Sequence, residues 1–350
     1  MCDPYRQIAL RVFSGKPCGR NHISYHWIVK LAAIERAIFN SGDNMSLRKT
    51  LSRLTKRGRQ ERVLESAVGM SSSEERQFLE DYTARVYAGA GTIVDLGSWL
   101  GSLTIPLLVG LDRNPAGNGA EVHAYDLFEW ADWMNPWRVL ESGKPLKPGD
   151  SFLPAFLRQV LPHDSKKRLL VHAGDLPRLG WCGRRIELLV VDVMKNWTLA
   201  NCVVQTYFTC LIPGRSYVFH QDFCHYFTPW IHLIHYRLRD HFEKVASLPN
   251  SGTVVFKYTK AFLPDLLKHT YSFTDFSDAE IEAAFEFSLQ QVDANLNGGR
   301  QAVMGAKVMA FVHQKRFEDA RRELASLKAK GWAIDGELKI AAELANGDKK

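Results

Sequence analysis

The sequence predicts an α/β protein with a doubly wound, seven-stranded, mostly parallel sheet and helical extensions at both ends. Three observations support this fold class. Short apolar, β-branched runs alternate with helical patterns across residues 91–260, which is typical of parallel strands joined by helices. The first run ends in an acid and a glycine turn. Several later runs also end in an acid, so polar side chains would meet at the carboxyl edge of the sheet.

Length and composition indicate one large globular domain with appendages. The chain has 350 residues, and 46% of them are hydrophobic, which is enough for a buried core. The six cysteines form no CxxC pair, which favours free thiols in a cytoplasmic protein over a disulfide framework or a zinc ribbon. No apolar run is long enough to span a membrane, and the first residues do not resemble a signal peptide.

We divide the chain into a helical N-terminal extension (1–74), a sheet domain (75–260) and a helical C-terminal extension (261–350). The net charge is +7, and much of it lies in a basic amphipathic stretch at 48–62. Such a stretch is more often a solvated helix face than a surface for lipid or nucleic acid. It contains no aromatic residue that could stack on bases, so nucleic acid is not the expected partner.

The C-terminal extension has helical patterns throughout. One helix opens at Ser277, and the segments 306–314 and 317–330 form a helical hairpin that resembles one tetratricopeptide unit. A single unit cannot bury its own faces. We therefore expect this hairpin to pack on the sheet domain or on a second copy of the chain.

The first elements of the sheet domain are a helix and a strand. The helix begins near Ser72, with Glu74 and Glu75 in its first turn, and runs towards Val86. The strand, residues 92–96, is apolar and β-branched, as a strand buried on both faces requires.

A glycine turn and a second helix follow this strand. The helix opens around Ser102 and tolerates Pro106 only in its first turn. The turn has neither the lysine nor the spacing of a phosphate-binding loop, and Asp95 would repel a phosphate. A carboxylate beside a glycine turn suits a cationic ligand instead.

The pattern DxGxxxGxxT, from Asp95 to Thr104, resembles motif I of the class I S-adenosylmethionine-dependent methyltransferases. The resemblance implies their Rossmann-like sheet and S-adenosylmethionine as the cofactor. It also implies that the cofactor contacts the turn, at Asp95, Gly97, Ser98, Trp99, Gly101 and Ser102.

The second and third strands add acids that suit the same cofactor. The second strand, 121–125, ends in Asp126, and an acid there can accept hydrogen bonds from both ribose hydroxyls. With the adjoining Leu127, we expect it to contact the ribose; the alternative is an ordinary strand-end acid. In the family, the loop after the third strand, 168–173, lies beside adenine. That position implicates Gly174, Asp175 and Leu176, although Asp175 also suits a helix N-cap.

The fourth strand, 186–191, ends in Asp192, three residues before Lys195. Strands one and four lie side by side at the switch point of a doubly wound sheet, so Asp192 should face the methyl donor. The Asp-x-x-Lys spacing resembles the corner of cation-dependent O-methyltransferases of the catechol type. There the acid binds a divalent metal and the lysine helps to deprotonate a hydroxyl, since burial and the cation lower its pKa.

The fifth strand, 216–219, follows a Pro-Gly turn and is followed by His220, Gln221 and Asp222. This region resembles the same superfamily, including sugar and macrolide O-methyltransferases of the macrocin type. Asp192 and Asp222 would offer two carboxylates to Mg²⁺. The metal-dependent relatives usually have two consecutive acid or amide ligands, and strand alternation points Gln221 away. His220 is the alternative general base if no metal binds.

A histidine-rich segment and an antiparallel strand pair complete the sheet domain. We predict a helix over 226–242, with His232 and His235 as packed or surface residues and no zinc site, since zinc needs a tighter ligand set. The strands 242–247 and 252–257 match the antiparallel hairpin that closes the sheet in the family.

These patterns together predict an S-adenosylmethionine-dependent methyltransferase acting on a hydroxyl of a small molecule or sugar, with Mg²⁺ as a second cofactor if the carboxylate pair binds it. One alternative is a nucleic-acid or protein methyltransferase that uses the basic stretch. Another is a non-catalytic scaffold with a vestigial cofactor site. An aromatic-rich insertion at 128–150 would form either a wall for the acceptor or local packing.

Overall fold

The computed structural model describes residues 65–137, 139–141 and 143–347. The basic stretch at 48–62, most of the predicted N-terminal extension and the last three residues lie outside this part of the chain. Helix α1, Ser73–Arg85, precedes the sheet as predicted. Its cap is reciprocal: the Ser72 hydroxyl accepts the Glu75 N–H, and the Glu75 carboxylate accepts the Ser72 N–H.

The main sheet has seven strands, and its predicted doubly wound form is confirmed. The strands are β1 (Thr92–Leu96), β2 (Val122–Asp126), β3 (Leu169–Ala173), β4 (Ile186–Val191), β5 (Tyr217–His220), β6 (Phe242–Ser247) and β7 (Val254–Tyr258). Their order is β3-β2-β1-β4-β5-β7-β6. Strands β1 to β5 are parallel, whereas β7 runs antiparallel to β5 and β6. Every residue of β1 and β4 is buried, as expected for central parallel strands.

The helices lie on both faces of this sheet. After α1 they are α2 (Thr104–Leu111), α3 (Leu153–Val160), α4 (Leu176–Leu179), α5 (Trp197–Cys202), α6 (Pro229–Arg237), α7 (Pro264–Lys268), α8 (Asp278–Gln291), α9 (Asn297–His313), α10 (Phe317–Ala329) and α11 (Gly336–Ala345). A π-helical turn, Val203–Tyr207, continues α5. Within the insertion, Leu140–Glu141 pairs with Lys144–Pro145.

Two predicted helices differ from the structure in their extent. The helix expected over 226–242 is helical only over Pro229–Arg237, followed by the 3₁₀ turn Arg239–His241. Pro229 lacks an amide hydrogen and therefore suits the first turn, where no helical partner is needed. The first helix of the C-terminal hairpin begins at Asn297, nine residues before the predicted start. Helix α11 lies in the C-terminal stretch with a predicted helical pattern, but its bounds are not predicted.

Two apolar cores flank the sheet. One lies between the sheet and helices α5, α6, α8, α9 and α11, and the other between the sheet and α1, α2, α3 and the insertion. The C-terminal helices thus share a core with the sheet, which confirms that the hairpin packs on its own domain. The domain boundaries at 75 and 261 stay predictions.

Two further properties concern the described residues alone. Their four cysteines, Cys182, Cys202, Cys210 and Cys224, are free thiols. Within the same residues, every helix is too short or too polar to cross a membrane.

Candidate cofactor site and cation corner

Three acids lie at neighbouring strand ends. β1 pairs with β2 on one side and with β4 on the other, which brings Asp95, Asp126 and Asp192 to the same edge of the sheet. The Asp192 N–H donates to the carbonyl of Leu96 at 2.9 Å, so the ends of β1 and β4 are joined directly. This is the arrangement that the methyltransferase resemblance requires.

The glycine turn connects all three strands. The N–H groups of Gly97 and Ser98 donate to the Tyr125 carbonyl at 2.8 and 3.1 Å. Gly97 has φ +88°, and a Cβ there would lie 2.7 Å from the Asp192 carbonyl oxygen. Only glycine combines this conformation with so close an approach. The turn is therefore held against both β2 and the residue that follows β4, Asp192.

Asp126 organises the side of the site next to β2. Its carboxylate accepts the N–H groups of Trp99 at 2.9 Å and Phe128 at 2.8 Å, and burial raises its pKa. The Gly174 N–H donates to the Asp126 carbonyl at 2.9 Å. Leu127 is 57% exposed, so an apolar side chain stands in solvent directly beside this carboxylate. Asp126, Leu127 and Gly174 thus form one continuous strip, which we call the cofactor strip.

The other residues after β3 occupy different environments. Asp175 precedes α4 but makes no capping hydrogen bond; its carboxylate instead lies 3.4 Å from Arg178. Leu176 is buried. On the other side of the turn, Ser102 is buried against Gly69, and Gly101 packs on Val160 of α3.

Asp95 has an unpartnered oxygen in the interior. Oδ2 accepts the Thr104 hydroxyl at 2.6 Å, whereas Oδ1 is buried and has no hydrogen-bond partner among the described residues. Burial raises the pKa of Asp95 to about 6. A buried acceptor without a partner costs roughly 1–3 kcal/mol. An N–H group of a cationic ligand would remove that cost, so this carboxylate fits the amino group of S-adenosylmethionine.

Part of the aromatic insertion lies against the glycine turn. Trp99 has φ +40°, uncommon for a bulky residue, and its ring contacts Trp137 edge-on at 4.9 Å and Trp133 at 6.1 Å. Trp130 instead packs on Phe152 and is buried. The insertion therefore provides both local packing and an aromatic wall beside the turn.

Asp192, Lys195 and Asp222 form a cation corner at the ends of β4 and β5. The Lys195 ammonium donates to Asp192 Oδ1 at 2.7 Å and to the Asp222 carboxylate. The Trp230 indole donates to the Met194 carbonyl and so anchors the loop that carries the lysine. The Lys195 side chain is 46% exposed, against 18% for Asp192 and 14% for Asp222. Lys195 is thus the most exposed side chain of the three.

The charges in the cation corner determine which group can accept a proton. Burial lowers the pKa of Lys195, but the two carboxylates outweigh it and raise the pKa overall. Burial also raises the pKa of Asp192, more than the lysine lowers it. The pKa of Asp222 is lowered, because Lys195 and His225 outweigh the effect of burial. While it bridges the carboxylates, Lys195 is an ammonium, and Asp192 is the more basic carboxylate.

The same corner is where the sequence predicts a metal. Two carboxylates that share one ammonium could share a divalent cation, but only after Lys195 moves away. Among the described residues, no three His, Cys, Asp or Glu side chains form a group that could hold a metal. As arranged, the donor set fits the ammonium and not Mg²⁺.

His220 lies in the interior. It is 2% exposed, and its ring lies 6.2 Å from Phe223 and 6.5 Å from His235. Burial lowers its pKa to about 4. His232 and His235 are also buried against aromatic rings, so they occupy the packed position of the two alternatives left open by the sequence. His220 therefore points into the core beneath α6.

Glu75 is a buried acid that the sequence analysis treats only as part of a helix start. Its carboxylate accepts the Thr253 hydroxyl as well as the Ser72 N–H. Burial raises its pKa, and the negative charge of Asp222 adds to the effect. The pattern of serines followed by acids places Glu75 in the first turn of a helix, but it does not indicate that α1 begins beside the cation corner.

Comparison with known proteins gives similarities of fold. No protein-family model matches the sequence, and no curated protein is significantly similar to it. The O-methyltransferase NovP is 16% identical, with a TM-score of 0.39 over 53% of this chain and 78% of NovP. CalS11, a calicheamicin methyltransferase, is 18% identical, with a TM-score of 0.38 over 71% of this chain and all of CalS11.

A tRNA methyltransferase-like protein also resembles the chain. Sp1610 of Streptococcus pneumoniae, a putative tRNA (m1A22) methyltransferase, is 12% identical, with a TM-score of 0.31 over 68% of this chain and 100% of Sp1610. These identities and TM-scores are low, so the fold assignment depends on the strand order and the antiparallel hairpin. In that fold the chain is similar to the class I S-adenosylmethionine-dependent methyltransferases.

Proposed function

We propose that this protein is an S-adenosylmethionine-dependent methyltransferase that methylates a hydroxyl group of a small molecule or sugar. The observation that carries the proposal is the meeting of Asp95, Asp126 and Asp192 around one glycine turn, with a buried Asp95 oxygen left without a partner. A cationic ligand with both an ammonium group and ribose hydroxyl groups could donate hydrogen bonds to these carboxylates.

The cofactor would be held by the chain as follows. Asp95 would accept from its amino group, and Asp126 would accept from its ribose hydroxyls beside the exposed Leu127. Gly174, Asp175 and Leu176 are the residues proposed to border adenine. Bound S-adenosylmethionine would supply a methyl group on a positively charged sulfur.

The cation corner would activate the acceptor. Asp192 is the proposed base, because its raised pKa makes it the better proton acceptor of the two carboxylates. It takes the hydroxyl proton, and the Lys195 ammonium stabilises the negative charge that develops on oxygen. The activated oxygen would then accept the methyl group that bound S-adenosylmethionine supplies, and the electron pair of the carbon–sulfur bond would remain on sulfur. The aromatic wall of Trp99, Trp133 and Trp137 would position the acceptor.

Methyl transfer tests the proposal. Purified protein is incubated with tritiated S-adenosylmethionine and a panel of sugar nucleotides, phenols and tRNA, and methylated products are counted. We expect label on a hydroxyl compound and a loss of about 10²–10⁴ in rate for Asp192→Asn, the usual contribution of a general base. Asp240→Asn changes an exposed acid after α6 and should keep the wild-type rate. Label on tRNA alone would overturn the hydroxyl assignment.

Metal binding tests the role of Lys195 without an acceptor. The Lys195→Met variant should bind Mn²⁺ at least tenfold more tightly than wild type, because it removes the ammonium from the two carboxylates. Electron paramagnetic resonance of free Mn²⁺ measures this. Lys244→Met, which removes a distant ion pair with Asp293, is the matched control. If wild type binds Mn²⁺ as tightly as Lys195→Met, the lysine does not compete and the corner is a metal site.

A further inference from the structure

The structure contains a cavity at the opposite edge of the sheet from the cation corner. It has a volume of about 740 Å³, within the usual range for sites that hold small organic ligands. Arg185, which lines the cavity, directly precedes β4, whereas Asp192 of the cation corner directly follows β4. Six strand residues at about 3.3 Å each separate the two positions by roughly 20 Å. The cavity is therefore separate from the proposed methyl-transfer site.

The floor of the cavity is apolar and aromatic. The Phe262 ring stacks on the Tyr258 ring at 4.6 Å and on the Phe208 ring at 6.1 Å, and the planes of Phe262 and Phe208 are nearly parallel, at 4°. The Phe262 N–H donates to the Tyr258 hydroxyl at 2.9 Å, which fixes the turn after β7. Leu211 and Leu267 complete the buried lining. These flat, fixed surfaces suit a planar apolar ligand.

The rim of the cavity is polar and held in place. The Gln205 side-chain amide, from the π-helical turn, donates to the His269 carbonyl at 3.1 Å and to the Thr270 hydroxyl at 3.0 Å. These bonds join the turn to the segment after α7. π-Helical turns occur frequently at functional sites.

The charge of the lining selects the ligand class. Among the described residues that line the cavity, Arg185 and Lys268 are cations and none is an acid. Neither side chain has an ion pair within the described part of the chain. Residues 1–64 contain thirteen Lys and Arg against four Asp and Glu, so these cations would repel that segment. A small anion is favoured instead.

We propose that this cavity is a second ligand site, which binds a small amphipathic anion: a planar apolar body on Phe208, Tyr258 and Phe262, with an acidic head group between Arg185 and Lys268. This inference does not depend on methyl transfer, because the cavity shares no residue with the cofactor strip or the cation corner.

The probe is 1-anilinonaphthalene-8-sulfonate, an aromatic sulfonate whose fluorescence rises in apolar surroundings. Full-length protein should bind one equivalent, and N-phenyl-1-naphthylamine, which lacks the sulfonate, should bind at least tenfold more weakly. The Arg185→Gln/Lys268→Gln variant should weaken sulfonate binding at least tenfold. The control, Arg215→Gln/Lys260→Gln, removes two exposed cations outside the lining and should bind as wild type does.

Three results would overturn the proposal. Equal affinity for the two probes would show that the cavity does not select an anion. Unchanged binding by the Arg185/Lys268 variant would place the sulfonate elsewhere. Displacement of the probe by S-adenosylhomocysteine would place it in the cofactor strip. The filling variant Ala261→Phe, which leaves the charge unchanged, should also weaken binding and guards against a folding defect in the double variant.

Discussion

The Gly97→Ala variant is expected to lose S-adenosylmethionine binding and about 2–6 kcal/mol of unfolding free energy. The residue has φ +88°, a conformation that costs an L-residue about 1–3 kcal/mol. Its new methyl group would also overlap the Asp192 carbonyl at 2.7 Å, and overpacking of this kind typically adds 1–3 kcal/mol. The turn would have to move away from β4. Urea unfolding and calorimetric titration with the cofactor measure the two effects.

The Gly119→Ala variant distinguishes the effect of backbone strain from that of steric overlap. Gly119 has φ +77°, but a Cβ there meets nothing within 4 Å. This variant should lose only about 1–2 kcal/mol and keep its cofactor affinity. Equal effects of the two substitutions on cofactor binding would mean that the close contact between the turn and Asp192 is irrelevant to the site.

The His232→Leu variant is expected to be less sensitive to acid than the wild-type protein between about pH 6.5 and pH 4, because His232 is one of three histidines that are buried in neutral form. Burial lowers the pKa of His220 to about 4 and of His232 to about 3, and it also lowers the pKa of His235. The unfolded chain takes up these protons near pH 6.5, but the folded protein does not. The stability that these histidines contribute is therefore complete above pH 6.5 and falls as the pH falls.

The size of this effect follows from linkage. Each histidine contributes about 1.4 kcal/mol per pH unit within the window. Buried acids such as Asp95, Asp126 and Asp192 act in the opposite direction, because their raised pKa values let the folded protein take up those protons first. Urea unfolding at several pH values measures the net slope for each variant. Compared with wild type, His232→Leu should reduce the slope by about 1.4 kcal/mol per pH unit. A wild-type slope no steeper than that of His232→Leu would contradict neutral burial.

Much of the sheet could be predicted because its local signals agree with its tertiary contacts. The β-branched runs of β1 and β4 are followed by an acid or a glycine turn, and the structure buries both strands completely. The serines at 71–73 and Ser277 mark helix starts, because a serine side chain there can satisfy an exposed backbone amide, and the structure places the caps at Ser72 and Ser277. Short-range interactions of this kind can be recognised in the sequence.

The features that could not be predicted depend on contacts between residues that are far apart in the sequence. The spacing of Asp192 and Lys195 suggests a lysine that loses its proton, but the ammonium is stabilised by Asp222, which comes from the next strand. The position of Glu75 beside this corner likewise depends on how α1 crosses the sheet. His220 ends a strand in the expected place, yet its burial depends on α6, whose extent the sequence overestimates.

Calorimetric titration of the wild-type protein with S-adenosylmethionine and S-adenosylhomocysteine tests the assignment most directly. The acids and the glycine turn predict one site per chain for each compound, with binding lost in Gly97→Ala and kept in Gly119→Ala. If neither compound binds the wild-type protein, the acids at these strand ends do not form a cofactor site, and the methyltransferase assignment is wrong.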